Sequence, residues 1–427
     1  MEKILKHQIL NDCNNYSFTV DTLDGFVEDG YITIEEFSQH NLEISKVKEL
    51  QKRKDARNGI TDLQVGDREE DEIKKVDSGL PPTETLDEKS RLLKEVKENT
   101  RSAIEIYDDI VRDQKYTFDD LKEIGFSERA ITALKYQSQA PMRLSYKIDD
   151  LPAMEQGRTD VFFVGVPASG KTVMLGGLLK YANRKGIIIP DSYNNAGNVF
   201  QADLIRDLDV GFLPKNTDEG SYNYIATSIQ DNENINHPFN IVEVPGENYV
   251  RLFNEGSTTQ TDYIVKFMKY IKNSNKKILV FVIDSVAHEN RNNIQYLRDL
   301  DQSIAYVNIL NMFRDHGVLE QTDAIYLVAN KFDVLLQERY MLDGSDHEKL
   351  AHDFIQEEFT NLVTNCKYAR DNSRNKFKIK VFPFSIGDVH HKHILESYND
   401  KYSKAIVDNL MEDSFIVKGG RFWKKLF

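Results

Sequence analysis

The chain has 427 residues, 40% of them hydrophobic and 29% charged, enough for about two or three domains with a sizeable core. Its formal net charge of -14 works against a bulk electrostatic grip on nucleic acid or on an anionic membrane. Two cysteines, Cys13 and Cys366, exclude a disulfide framework or a cysteine-based zinc site, and no apolar run reaches the ~18 residues of a transmembrane helix.

The first residues lack the apolar core of a signal peptide, so a cytoplasmic location is expected. Charge is uneven along the chain: residues 1–150 hold 23 basic and 33 acidic side chains. Residues 54–86 are rich in mixed charge, poor in apolar residues and close on Gly79-Leu80-Pro81-Pro82, which predicts a linker. The segments flanking it, 1–53 and 87–140, resemble each other. Thr33-Ile34-Glu35-Glu36-Phe37 aligns with Thr117-Phe118-Asp119-Asp120-Leu121, and Val47 and Leu50 align with Ile131 and Leu134. Each copy reads as a helix, a turn, a Thr-capped short helix, a second turn and a third helix. This predicts a small all-α module with an internal repeat. Helix–turn–helix units are also trihelical, but the acidic balance speaks against DNA, and a protein partner is the expected target of residues 1–140.

From residue 155 the pattern changes to strands alternating with helices. Apolar runs of strand length stand at Val161–Val164, Asn240–Val244, Ile278–Ile283, Ala324–Ala329 and Phe377–Phe384. Such runs, joined by helical crossovers, predict a mainly parallel buried sheet over residues 155–412. Tyr222–Ile229 is expected to pair antiparallel with Asn240–Val244 through the polar connection at 231–234.

Five stations on this framework carry chemistry. Gly165-Val166-Pro167-Ala168-Ser169-Gly170-Lys171-Thr172 lies between a strand and a helix, the context a phosphate-cradling loop requires. Gly165 and Gly170 let the amides of Ala168, Ser169 and their neighbours turn inward. Lys171 brings an ammonium to the outer phosphates, and Thr172 offers a hydroxyl to magnesium. Glu243, ending a strand before Pro245-Gly246-Glu247, is placed to reach the metal's water shell, with the Gly246 amide toward the terminal phosphate. Glu247 reads either as the group that orients the attacking water or as a surface acid. Thr217 reads either as a mobile magnesium ligand or as a capped loop residue. Asn330-Lys331-Phe332-Asp333 closes another strand. The Asp333 carboxylate can accept from the N1–H and 2-amino group of guanine, the Lys331 stem can lie on the base, and Asn330 can tie this loop to the phosphate loop. Ser385 and Ile386, after the last strand, can present backbone amides to the guanine oxygen.

With these stations in order, residues 155–412 resemble a GTPase of the TRAFAC class built on the Ras-like P-loop fold. The Pro245-Gly246-Glu247 station further resembles predicted bacterial GTPases of defence or conflict gene clusters. The chain departs from the class at Glu243, where aspartate is usual, and at Glu247, where glutamine is usual. The resemblance implies GTP and GDP as ligands, Mg2+ as cofactor, and hydrolysis coupled to loop movement at Thr217 and Gly246. The departures imply slow turnover, with a non-hydrolysing GTP-bound scaffold as the alternative and an ATPase as a lesser one.

His347 and His352 stand five residues apart and do not share a helical face, which excludes a zinc helix. His390, His391 and His393 read as a solvated loop leading into a helix rather than as a metal cluster. Asp284 reads as a strand-end turn residue. The tail, residues 413–427, places Phe422, Trp423, Leu426 and Phe427 beside Lys418, Arg421, Lys424 and Lys425. It is expected to pack on its own domain or dock on a partner protein, with an anionic membrane surface as the weaker alternative.

Overall fold

Short apolar strands separated by helices can bury both faces of a sheet only by crossing over it repeatedly, and the computed structural model has this architecture. It describes residues 88–137, 145–214, 220–246, 262–286, 301–337 and 346–414, the helix 44–57, and isolated positions between 23 and 37. Most of the expected linker and nearly all of the C-terminal tail lie outside the described residues. The chain divides into two compact units, Met1–Thr85 and Leu86–Phe427. In the first, helix α1 (Ile44–Arg57) is described, and Leu23, Ile32, Ile34, Phe37 and Leu50 are buried.

The second unit opens with four helices, α2 (Glu88–Lys97), α3 (Ala103–Val111), α4 (Phe118–Glu123) and α5 (Glu128–Tyr136). Their starts are encoded locally. Ser102 and Thr117 each form a capping box, with Glu105 and Asp120 three residues on, and the Ser127 hydroxyl accepts from the Ala130 amide. Leu92, Val96, Ile106, Leu121 and Leu134 share their core with Phe212 and Ile394 of the sheet region. The helical segment is therefore packed directly onto the α/β region that follows it in sequence.

That region runs β1 (Thr159–Val164), α6 (Lys171–Arg184), β2 (Ile188–Pro190), α7 (Asn195–Val210), β3 (Asn223–Gln230), β4 (Asn236–Glu243), α8 (Asp262–Ile271), β5 (Lys276–Asp284) and α9 (Gln302–Asp315). It continues with β6 (Thr322–Asn330), α10 (Phe332–Leu335), α11 (His347–Glu358), α12 (Thr360–Asn372), β7 (Lys378–Phe384), β8 (Gly387–His390), β9 (Ile394–Tyr398) and α13 (Lys401–Asp413). The seven-stranded sheet has the order β2-β3-β4-β1-β5-β6-β7. Strands β4, β1, β5, β6 and β7 are parallel, and β3 runs antiparallel to both β4 and β2. The expected α/β class, the five parallel strands and the antiparallel β3–β4 pair are all present.

Two features differ from expectation. Strand β2 is only Ile-Ile-Pro, too short to show a periodicity. The histidine-rich stretch is no solvated loop: β8 and β9 form an antiparallel hairpin, and His391 at its turn is buried. Among the described residues no helix is long and apolar enough to cross a membrane.

Candidate functional site

Strand β1 is flanked by β4 on one side and β5 on the other, so its C-terminal end opens into the crevice where an α/β sheet places ligands. The loop leaving it curls back on itself. Gly170 has φ 83° and Ala168 φ 58°, and a Cβ on Gly170 would lie 2.4 Å from the Asn330 side-chain nitrogen. A Cβ on Gly165 would lie 2.6 Å from Ser169 Oγ. Glycine is thus required at Gly170 by its left-handed backbone, while a side chain at Gly165 would displace the Ser169 hydroxyl. The Lys171 ammonium donates to the carbonyls of Gly165 (2.8 Å) and Val166 (3.1 Å), which draws the loop around its own cation. The buried Ser169 hydroxyl has no hydrogen-bond partner among the described residues. With the first amides of α6 beside it, this cradle fits a phosphate group.

Thr172, at the start of α6, donates its hydroxyl to Glu243 Oε1 at the end of β4. The other Glu243 oxygen accepts from Asn223 Nδ2 at 2.9 Å, and Glu243 is fully buried. The two hard oxygen donors suit magnesium, which keeps several waters and takes phosphate oxygens rather than a full protein cage. Asn223 is a partner of Glu243 that no sequence motif marked. Gly246 follows two residues after Val244, where a Cβ would lie 2.5 Å from Pro167 N and 2.7 Å from Pro167 Cα. Gly246 therefore packs backbone-to-backbone on the 165–172 loop. Thr217 and Glu247 lie outside the described residues.

The second loop meets the first where Asn330 Nδ2 donates to the Ser169 carbonyl at 2.6 Å. Lys331 follows in left-handed backbone, φ 55°, with its ammonium 2.7 Å from Asp284 Oδ2. Asp284 is no turn residue but the last, buried residue of β5, in register with Asn330 on β6. Asp333 stands in α10. Burial pushes its carboxyl above the usual carboxylate range, and a hydrogen bond from the Ser385 side chain pulls it partly back. Ser385 and Ile386 are buried beside it, where β7 ends. Ala168, Gly170, Asn330, Lys331, Asp333 and Ile386 line one cleft of about 620 Å3, a size that accommodates a nucleotide. Residues of the 165–172 loop and of the Asn330–Asp333 station, far apart in sequence, thus face a common space. Leu213, Val389, Lys392 and His393 also line it; none belongs to a nucleotide-binding motif, and only His393 stood out in the sequence, as one of a histidine cluster.

No family model matches the chain, and no curated protein does either. Among solved structures it is similar to a protein described as nucleolar GTP-binding protein 1 of Plasmodium falciparum. That match has 13% identity and a TM-score of 0.28, and covers 61% of this chain and 90% of that one. It is also similar to the GTP-bound GTPase-like domain of Ski7 from S. cerevisiae, with 14% identity and a TM-score of 0.27, covering 60% of this chain and 50% of that one. Likenesses of this degree carry no argument; strand order and cleft geometry do.

Proposed function

We propose that the chain binds guanine nucleotides with magnesium, hydrolyses GTP slowly and serves as a regulatory switch read by a protein partner. The observation that carries this reading is the Asn330–Ser169 bond. It joins a phosphate loop to a carboxylate-bearing loop so that both line one cleft. Lys171 and the amides of residues 168–172 hold the phosphates, Asp333 accepts from the guanine edge, and the Lys331 stem supports the base plane. Magnesium, when bound, neutralises phosphate charge, with Thr172 as ligand and Glu243 in its shell; Thr217 is proposed as a further ligand. Slow turnover follows from the acid at Glu247 in place of glutamine. Residues 1–140 and the tail are proposed as the partner-reading surfaces. The Pro245-Gly246-Glu247 station motivates the narrower reading of a switch in a bacterial defence system.

A second reading, a scaffold in which GTP is a structural ligand, is favoured by the enclosure of Glu243 between Thr172 and Asn223. Calorimetric titration of the purified full-length chain with GDP, GTP, ATP and XDP tests the ligand. Asp333→Asn should lower GDP affinity and raise XDP affinity by about tenfold or more, because an amide can donate to the 2-oxo group. Unchanged base preference would remove Asp333 from base reading. Single-turnover conversion of bound GTP then separates the switch from the scaffold.

A further inference from the structure

The hairpin that follows Ser385 and Ile386 reverses through two consecutive left-handed residues, His391 at φ 50° and Lys392 at φ 64°. The turn spans three residues, 391–393, and side chains with a Cβ resist the positive φ adopted at its first two positions. Backbone strain of this sort persists only where surrounding contacts over-determine it.

Those contacts come from the helical segment 88–137 and from the chain after α7. The His391 amide donates to Asn99 Oδ1 at 2.6 Å, and the His391 carbonyl accepts from the Ala103 amide at 2.8 Å. The His391 ring stacks on Phe126 with centroids 4.9 Å apart. One step further, the His393 carbonyl accepts from the Leu213 amide at 2.8 Å, and its ring stacks on Phe212 with centroids 5.8 Å apart. The turn is thus clasped on both sides, and its free face is the cleft. Lys392 and His393 line the same cavity as Gly170, Lys331 and Asp333. An exposed cation lining the cleft beside an imidazole, held there by a clasped, strained turn, suits an anionic ligand.

Resting on the guanine-nucleotide reading, we infer that Lys392 and His393 are nucleotide-contacting residues, and that the helical segment 88–137 sets nucleotide affinity by holding their turn. The segment is then more than a partner-reading appendage. By reciprocity, a ligand on the turn must strengthen the clasp by as much as the clasp strengthens the ligand.

The test uses the full-length chain and GDP. Lys392→Gly removes the cation while suiting the left-handed backbone, so its melting temperature without ligand should equal or exceed that of wild type. Its GDP affinity should fall about fivefold or more, the loss expected of one charge-assisted contact. Asn99→Ala, which removes the side-chain acceptor of the His391 amide, should also weaken GDP. In wild type, GDP should slow hydrogen exchange at the Ala103 and Leu213 amides. GDP affinity unchanged in Lys392→Gly overturns the contact. Unchanged affinity in Asn99→Ala together with unaltered exchange at Ala103 overturns the coupling. A wild-type chain that binds no guanine nucleotide sinks the underlying reading instead, and that result is seen before any variant is compared.

Discussion

Lys331 and Asp284 sit at the ends of neighbouring parallel strands, and their side chains close an ion pair of 2.7 Å beside the cleft that Lys331 lines. The carboxylate is buried and the lysine is not, so the pair fixes the direction of the longer side chain. Its consequence is that the lysine stem is held in place before any ligand arrives. Asp284→Asn keeps the volume and removes the charge. It should weaken GDP about three- to tenfold by calorimetry, since pre-organisation and not a direct contact is lost. Equal affinity in wild type and variant would make the pair incidental to binding.

Glu243 offers a second test. It is bound by Thr172 and Asn223 and is fully buried, yet it is the acid nearest the Thr172 hydroxyl by hydrogen bonding. Wild-type affinity for GTP should be higher with magnesium than with a chelator, and in Glu243→Gln that gain should shrink. A gain of the same size in both proteins would exclude Glu243 from the metal's water shell.

Gly246 is constrained by distance and not by its own dihedral. A Cβ would strike backbone atoms of Pro167 at 2.5 and 2.7 Å, and backbone cannot swing away as a side chain can. Gly246→Ala should therefore cost about 1–3 kcal/mol of stability, read as a lowered denaturant midpoint. It should also weaken nucleotide binding, because the phosphate loop is what must move. Wild-type behaviour in both measurements would show that the loops separate freely.

Acid should expose a network far from the cleft. Burial alone would push the Asp413 carboxyl up, but hydrogen bonds from Lys378, Lys380 and Tyr326 outweigh it and hold the group below the usual carboxylate range. The distances are 2.5 Å from Lys378, 2.8 Å from Lys380 and 2.7 Å from the Tyr326 hydroxyl. A depressed folded value means that the unfolded chain binds the proton first. The stabilisation is present above the unfolded value, about pH 4, and is lost as pH falls through the folded value below it. Denaturant midpoints measured down through this window should drop in wild type and drop less in Asp413→Asn. Parallel profiles would remove Asp413 from the acid response.

What could be read from the sequence was local. The Gly165–Thr172 loop, the Asn330–Asp333 station and the five parallel strands are legible because each depends on neighbouring residues: a glycine where φ is positive, a carboxylate after a strand, a run of apolar side chains. The capping boxes at Ser102 and Thr117 are legible for the same reason. Strand β2 was hidden by its length, and the β8–β9 hairpin by a turn of two histidines and a lysine with no glycine, asparagine or proline to mark it.

The order of the stations along the chain, by itself, determined that a glycine-rich loop and an Asn-Lys-Phe-Asp station both follow strands of an α/β sheet. Only the tertiary structure decided that they meet, through Asn330 and Ser169, and that Asp284, Asn223 and the His391–His393 turn complete the surroundings. The physical reason is the range of the interactions. Dihedral preference and hydrophobic period act between near neighbours, whereas a buried carboxylate finds its cation, and a strained turn its clasp, only after distant segments have packed.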